Sequence, residues 1–253
     1  MADRRKKGIF ILGGIAFVYF IADSLFSTVK NEVLQPVEAV GLINSALQKF
    51  GITNKYLRAG ILATVYKESD FKPKNETPYN NTANSRIREI FGSRVASLSD
   101  DQLTQLKANP EAFFNTVYGG SWGVKNLGNI QIGDGWKFRG RGFNGLTGRS
   151  LYTLHGKIMN VDLVNDPDKL NELIYAAASL GIYFDLSFKA GKADGKLKEK
   201  IGVNDVNDIS DLKTATIAAV QANAGWKTNL NSNFGMENIS KALSVVDEMY
   251  KFV

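Results

Sequence analysis

The sequence predicts a mainly α protein with a small β-hairpin element. Apolar residues recur at helical spacing in most segments after residue 35, and helix-capping signals precede several of these segments. Strand-like alternation is short and confined to residues 130–138. The 253 residues allow one large domain or two small ones, and an apolar fraction of 44% is sufficient for a sizeable core.

Each predicted helix depends on its own start or stop signal. Gly51 closes the first amphipathic stretch, a capping box formed by Ser99 and Gln102 opens a later helix, and Asn109-Pro110 places a cap before a proline at the first helical position. Residues 187–198 are polar and are expected to form a surface loop. The predicted helices cover residues 36–50, 54–68, 110–118, 173–186, 211–222 and 239–252.

The composition excludes several kinds of functional site. The chain has no cysteine and one histidine, His155, so thiolate nucleophiles, disulfide scaffolds and histidine-based metal clusters are excluded, and we expect no metal or cofactor. His155 lies between Tyr152 and Met159 at helical spacing and is predicted to be structural. Half of the net charge of +6 belongs to residues 1–30. The remaining excess is too small and too scattered to predict a nucleic-acid-binding surface.

The N-terminus has the pattern of a membrane anchor. A basic cluster at residues 4–7 precedes an apolar stretch, residues 8–26, which only Asp23 interrupts. About 17–20 such residues can span a bilayer, and the positive-inside bias would keep the basic cluster inside and everything after residue 30 outside. A cleaved signal peptide and a buried core helix are the alternatives. We therefore divide the chain into an anchoring segment, 1–30, and a globular domain, 31–253.

The run GRGFNG contains Gly140, Gly142 and Gly145 at the G-x-G-x-x-G spacing of dinucleotide-binding folds. That motif needs a buried strand before it and a helix directly after it. Here the preceding segment, 136–139, is short and contains charged residues. Gly148 interrupts the segment where the helix would have to begin. We expect no nucleotide to bind, so the glycines need another explanation.

Two glutamates could form an acid–base pair. Glu68 follows Ile61 and Val65 at spacings of seven and three, so it extends the apolar stripe of its helix. A carboxylate on a buried stripe is costly to ionise, which suits a general acid. Glu76 lies in a proline-bounded segment that cannot be a regular helix and could face Glu68 across a cleft. Spacing alone favours the alternative of a fraying helix end and a loop charge, because such pairs occur in most proteins of this size.

Several motifs resemble family 19 of the glycoside hydrolases, particularly its short bacterial and phage endolysin and chitinase forms. The matching stretches are YKESDFKPKNETPYNNT, RIREIFGSR, NPEAFFNTVYGG and GDGWKFRGRGFNGLTGRSLY, and the resemblance spans about residues 40–230. It implies a two-lobed, mainly α, lysozyme-like fold with a cleft between the lobes. It also implies that Glu68 is the general acid and Glu76 the general base of an inverting reaction.

The resemblance also implies a substrate-binding set in the cleft wall. Trp136 and Phe138 are expected as packing or stacking surfaces, and Arg139 and Arg141 are expected to brace the site by pairing with carboxylates. Asn223 matches the family's substrate loop loosely. The candidate substrate-binding residues are Trp136, Phe138, Arg141, Asn144, Thr147, Tyr152 and Asn223.

Three positions depart from the family pattern. Lys67 stands where the family has histidine before the acid, Gly145 replaces a glutamine, and Leu151 replaces an asparagine. The last two positions commonly contact substrate in the family, so their loss puts sugar affinity or specificity in doubt. Both carboxylates are retained.

These observations predict a membrane-anchored hydrolase that cleaves β-1,4 bonds of peptidoglycan glycan strands for phage lysis or cell-wall penetration. Peptidoglycan is preferred over chitin because an outward-facing anchored domain belongs in a bacterial inner membrane or a lipid-containing virion. The alternatives are a non-catalytic wall-binding or virion protein, which Gly145 and Leu151 favour, and a lytic transglycosylase, which needs only one catalytic carboxylate.

Overall fold

The computed structural model describes residues 36–227 and 232–253, and this part of the chain is mainly helical. Short 3-10 helices at Gly92–Arg94, Pro167–Asn171 and Val206–Asp208 connect some of the longer elements. The α-helices in chain order are α1 Pro36–Lys49, α2 Lys55–Ser69, α3 Asn84–Phe91, α4 Asp100–Ala108, α5 Pro110–Val117, α6 Gly120–Leu127, α7 Asp134–Lys137, α8 Arg149–Met159, α9 Leu173–Ala193, α10 Lys196–Ile201, α11 Leu212–Asn223, α12 Asn233–Leu243 and α13 Val246–Tyr250.

The largest apolar cluster surrounds α2, which is buried along most of its length. Gly60 of α2 lies so close to α11 that a Cβ atom there would be 2.7 Å from the backbone of Ala215. The alanine-rich sequence of α11 allows this approach, since small side chains let two helix backbones pack closely. Because α2 is held on several sides, its C-terminal end is a rigid support for Lys67 and Glu68.

Two smaller clusters support the other parts of the chain. One joins α8 and α9 through Tyr152 and Ile182, and Phe138, which follows α7, packs into it. The other, which we call the aromatic cluster, joins α3, α4 and α5, and half of its members are aromatic. Its aromatic members are Tyr79, Phe91, Phe113, Phe114, Tyr118 and Trp136.

Local signals predicted most of the helix starts correctly. The side chain of Asn54 accepts a hydrogen bond from the Leu57 amide at 3.1 Å, and Asn109 caps α5 in the same way. The capping box of Ser99 and Gln102 is present at the start of α4. Each of these caps acts within three residues, so sequence alone specifies it.

The prediction of a hairpin around residues 130–138 is wrong, since the described residues contain no strand. The segment forms a turn followed by α7, and the amide of Gln131 donates to the Asp134 carboxylate at 2.9 Å. Ile130 and Ile132 are both exposed, so their alternation does not mark a buried face. The described part of the chain has only one isolated bridge, between Arg141 and Leu146.

The predicted loop at 187–198 is also wrong, because α9 continues to Ala193 and α10 follows. Phe188 is buried there, and Gly191 packs against the Trp226 ring. The lysines of this segment therefore lie on the solvent-facing side of the two helices, and Asp194 lies in the turn between them. The helix predicted at 239–252 is interrupted between α12 and α13.

The predicted membrane anchor, residues 8–26, lies outside the described residues. Within the described ranges, none of the helices combines the length and the apolar character needed to cross a bilayer.

Candidate active site

A cleft of about 310 Å³ opens between the end of α2, the segment 74–77 and the glycine-rich loop 140–147. Glu68 and Glu76 both line this cleft. Three of the predicted substrate-binding residues line it as well: Asn144, Thr147 and Asn223. The structure thus brings together both candidate catalytic residues, eight positions apart in sequence, and part of the candidate binding set.

Glu68 lies in the last turn of α2, at the edge of the cleft. Ile61 and Val65 on the same helix face are buried, but 41% of the Glu68 side chain is exposed. The prediction that Glu68 sits on a buried stripe is therefore wrong. The helical period is kept, but Glu68 faces the cleft, whereas Ser69 and Phe71, which follow it, are buried.

Lys67 links Glu68 to a neighbouring helix. Its ammonium lies 2.5 Å from Glu68 Oε1 and donates to Asn238 Oδ1 of α12 at 2.8 Å. The Lys67 side chain is only 11% exposed, which makes this ion pair better shielded than the usual surface pair. The residue that replaces the family's histidine is thus the direct neighbour of the candidate acid.

Three donors hold the carboxylate of Glu76. The hydroxyls of Tyr118 and Tyr79 donate to Oε1 at 2.7 and 3.0 Å, and the amide of Gly140 donates to Oε2 at 3.1 Å. An ionised carboxylate only accepts hydrogen bonds, so this arrangement of donors matches that form. Three bonds from separate elements leave the side chain of Glu76 little rotational freedom.

Both tyrosines belong to the aromatic cluster. Burial first, and the negative charge of Glu76 second, raise the pKa values of Tyr79 and Tyr118 well above the ordinary range. Their hydroxyls therefore stay protonated donors at neutral pH. Sequence reasoning missed both as members of the site, although Tyr79 follows Glu76 by three residues and Tyr118 ends a predicted helix.

The glycine-rich loop is explained by its contact with Glu76. The amide of Glu76 donates to the Gly140 carbonyl at 2.7 Å, and the amide of Lys74 donates to the Gly142 carbonyl at 3.2 Å. A Cβ atom on Gly140 would be 3.1 Å from Glu76 Oε2 and 3.2 Å from Glu76 Cβ. Gly140 therefore lets the loop backbone approach the carboxylate closely enough to donate to it.

Four predicted binding residues do not line the cleft. Phe138 and Tyr152 are buried against each other with ring centroids 5.1 Å apart. Trp136 belongs to the aromatic cluster, and the Arg139 guanidinium covers its ring at 3.7 Å. Of the two roles expected for Trp136 and Phe138, packing and stacking, the structure shows packing, because their rings turn into the interior and do not line the cleft.

Arg141 is a brace and not a binding residue. Only 2% of the residue is exposed, and its Nε donates to Asp168 at 2.8 Å. The expected pairing with a carboxylate is confirmed for Arg141, while its place in the substrate-binding set is wrong. Arg139 forms no ion pair within the described residues and instead stacks on Trp136.

A second ion pair joins Asp134 and Arg149, near the two ends of the segment GDGWKFRGRGFNGLTGR. The guanidinium of Arg149 binds both carboxylate oxygens of the buried Asp134, at 2.6 and 2.7 Å. Burial opposes ionisation of Asp134, but hydrogen bonds from Arg149 and from the Gln131 amide outweigh it and hold the pKa of this carboxyl below its ordinary value. This ion pair accounts for the aspartate and the final arginine of the motif.

The other two departures from the family pattern, Gly145 and Leu151, lie in different surroundings. Gly145 is exposed at the cleft with φ of +66°, and a Cβ atom there would have no neighbour within 4 Å. Leu151 packs against the cluster of α8 and α9 and does not line the cleft. Only the glycine therefore changes the wall of the cleft.

Comparison with known proteins adds no relative to this description. A scan against protein-family models matches none of them, and a search of curated proteins finds no match.

Proposed function

We propose that this protein is a glycoside hydrolase of the family 19 type, with a two-lobed lysozyme-like fold, that cleaves β-1,4 bonds of peptidoglycan with inversion. The observation that carries the proposal is the shared cleft of Glu68 and Glu76 with their unlike surroundings. One carboxylate is exposed at a helix end, and the other is held by three donors. Unlike environments for two carboxylates are what an acid and a base on one substrate require.

In the proposed reaction, Glu68 donates a proton to the glycosidic oxygen as the bond between this oxygen and the anomeric carbon breaks. Glu76 takes a proton from a water molecule that attacks the anomeric carbon from the opposite face. The new hemiacetal then has the α configuration. Proton exchange with solvent restores Glu68 as the acid and Glu76 as the base.

The attacking water needs space between the two carboxylates, so the proposal requires a minimum distance between Glu68 and Glu76. Inverting pairs stand about 6.5–9.5 Å apart, whereas a nucleophile must stand within about 5–5.5 Å of the acid. We expect the wider separation in the substrate complex. Because an acid has to carry a proton, the ion pair between Lys67 and Glu68 has to open before the transfer.

The same ion pair favours a second candidate, a non-catalytic wall-binding or virion protein. A lysine 2.5 Å from the candidate acid would suit a protein that has kept the cleft and lost turnover. The exposed Gly145 in the cleft wall favours that candidate as well.

One experiment separates the candidates: digestion of purified cell walls by the full chain in mild detergent, with the products followed by proton NMR. The proposal predicts lysis and an initial α-anomer. A β-anomer would rule out Glu76 as a general base, and a 1,6-anhydro sugar would favour a lytic transglycosylase. Wall binding without any product would favour the non-catalytic protein.

Localisation is part of the proposal and has its own test. We propose that residues 8–26 anchor the protein in a bacterial inner membrane or a virion membrane, with residues 31–253 outside. Protease added to intact spheroplasts should then digest the globular domain, whereas deletion of residues 1–30 should release it from the membrane fraction with unchanged helical circular dichroism. An aggregated or unfolded fragment would contradict the anchor and show that the N-terminal segment belongs to the core.

A further inference from the structure

Among the described residues that line the cleft, one side chain besides the two carboxylates is charged, and it is the cationic Lys74. Lys74 is exposed, and its ammonium lies 3.4 Å from the backbone carbonyl of Glu68. Among residues 36–227 and 232–253, no carboxylate lies within ion-pair distance of this ammonium. The nearby Lys67, by contrast, is already paired with Glu68. Lys74 is therefore available to an external anion.

The backbone directs Lys74 and Glu76 to the same side. The amides of both residues donate to carbonyls of the glycine-rich loop, Lys74 to Gly142 and Glu76 to Gly140. Residues two apart in an extended segment share a face, and both side chains line the cleft. An anion bound by Lys74 would thus lie beside the proposed point of water attack.

The glycine-rich loop leaves space in the cleft for a substituent. Gly145 is exposed, and the position of its missing Cβ has no atom within 4 Å. The glutamine that the family pattern would place there is absent, so the cleft is wider at this point than a side chain would allow. A sugar that carries a bulky group can enter where an unsubstituted sugar would leave a gap.

Charge decides which substrate gains from this arrangement. Glu76 lines the cleft without an ion-pair partner among the described residues, so it repels an anionic ligand unless a cation compensates for it. Chitin is a neutral polymer and needs no such cation. The 3-O-lactyl sugar of peptidoglycan carries a carboxylate, either its own or that of its stem peptide.

We propose that Lys74 is a specificity-determining residue that binds a carboxylate on the 3-O-substituent of the glycan. This inference rests on the proposed function, because it assumes that a β-1,4 glycan lies in the cleft. Lys74 touches neither the scissile bond nor the attacking water, so its removal lowers the rate on anionic glycans and not on neutral ones.

The test compares three glycans: chitin hexasaccharide, glycan strands stripped of peptides by an amidase, and strands with peptides attached. The variant is Lys74→Gln, and the matched control is Lys72→Gln, since Lys72 is exposed, pairs with Asp70 and does not line the cleft. We expect Lys74→Gln to lower kcat/KM about 10-fold on an anionic glycan, the size expected for one hydrogen bond to a charged group. Its kcat/KM on chitin hexasaccharide should stay within about twofold of the unsubstituted chain.

Carbodiimide amidation removes the carboxylates from the glycan, just as Lys74→Gln removes the cation from the protein. Amidation should lower the rate of the unsubstituted chain to that of Lys74→Gln and leave the variant unchanged. A loss on stripped strands alone assigns the lactyl carboxylate, and a loss on peptide-bearing strands alone assigns the stem peptide. An equal loss on chitin hexasaccharide, or no loss on any glycan, overturns the inference.

Failure of the proposed function would look different. If the unsubstituted chain hydrolyses none of the three glycans, the hydrolase proposal fails, but calorimetric binding of stripped strands still tests Lys74. A Kd that rises about 10-fold in Lys74→Gln, and not in Lys72→Gln, would support carboxylate binding without turnover. Equal Kd values would overturn it.

Discussion

Glu68 projects from the last turn of α2 with a lysine 2.5 Å away, whereas Glu76 lies in an extended segment and accepts three hydrogen bonds. The helix end holds Glu68 through its backbone, so its carboxylate needs few partners. The segment that carries Glu76 is not helical. Backbone hydrogen bonds to the glycine-rich loop support it, and two tyrosines and a backbone amide hold the carboxylate itself. In one cleft, secondary structure places one functional group, and side-chain contacts place the other.

The largest expected effect is the loss of activity in Glu68→Gln. Removal of a general acid should lower the rate of wall lysis by about 10²–10⁴-fold. Because 41% of the Glu68 side chain is exposed and the amide oxygen of a glutamine can still accept from Lys67, the free energy of unfolding should change by less than about 0.5 kcal/mol. Turbidity assays and thermal melts measure the two quantities.

Glu89→Gln is the matched control for that variant, since Glu89 is an exposed helical glutamate paired with Arg86. It should leave lysis unchanged. A Glu68→Gln protein that kept most of its activity would remove Glu68 from the proposed mechanism.

The next largest effect is a loss of stability in acid caused by His155, which limits the pH range in which Glu68 and Glu76 can be compared. Burial lowers the pKa of His155 to about 4, and its Nδ1 lies 2.9 Å from Ser179 Oγ. The unfolded chain binds a proton at His155 below about pH 6.5, but the folded chain does so only below about pH 4. Stability should therefore fall by about 3 kcal/mol as the pH drops between these values and then level off.

Urea unfolding at several pH values measures this loss. In His155→Gln the side chain no longer titrates and can still bond Ser179, so its stability should depend less on pH in that range. If both proteins show the same slope, the acid sensitivity belongs to other groups. Activity measured below pH 6 can then be corrected for unfolding before any loss is assigned to Glu68 or Glu76.

Stability should separate the two carboxylates directly. In Glu76→Gln an amide NH₂ group replaces one oxygen. If it faces the Gly140 amide it meets a donor, and if it faces the two tyrosines their hydroxyls must turn from donating to accepting, so the bonds to a charged carboxylate are lost in either case. Loss of these bonds should lower the free energy of unfolding by about 1–3 kcal/mol, in contrast to the near-zero change in Glu68→Gln. Urea unfolding with an unchanged m value would establish this. Equal stability of the two glutamine variants would contradict the comparison.

The smallest effect tests a single contact. Tyr118→Phe removes the 2.7 Å hydrogen bond to Glu76 and leaves that from Tyr79. We expect the free energy of unfolding to fall by about 1 kcal/mol. The rate of lysis should fall by a larger fraction of its value, since Glu76 becomes less well oriented. Tyr66→Phe is the control, because Tyr66 is exposed and packs on Phe71 away from Glu76. Similar rates for both variants would show that Tyr79 and Gly140 suffice to hold the carboxylate.

Sequence reasoning succeeded where the determining forces are local. The caps at Asn54, Ser99 and Asn109 act over three residues, and the predicted helices that begin at them are present. Reasoning failed where burial decides the outcome. Glu68 keeps the helical period of its buried neighbours but is exposed at the cleft, and the isoleucines at 130 and 132 alternate without a buried face.

The candidate binding set shows the same division. A motif identifies residues that are close in sequence, but it does not predict which of their side chains are buried. Phe138, Tyr152 and Arg141 belong to the motif and are buried, whereas Asn144 and Thr147 from the same motif line the cleft. Tyr79, Tyr118 and Lys74 line or support the cleft from outside that motif.

By itself the sequence determined the helical class, the capped starts of its helices, the absence of cysteine chemistry and the two glutamates as candidates. Those properties depend on composition and on interactions over a few residues. Only the tertiary structure decided that Glu68 is exposed beside Lys67, that two tyrosines hold Glu76 and that Gly140 makes room for it. These contacts join residues up to 64 positions apart. Long-range packing, which no local pattern encodes, brings them together.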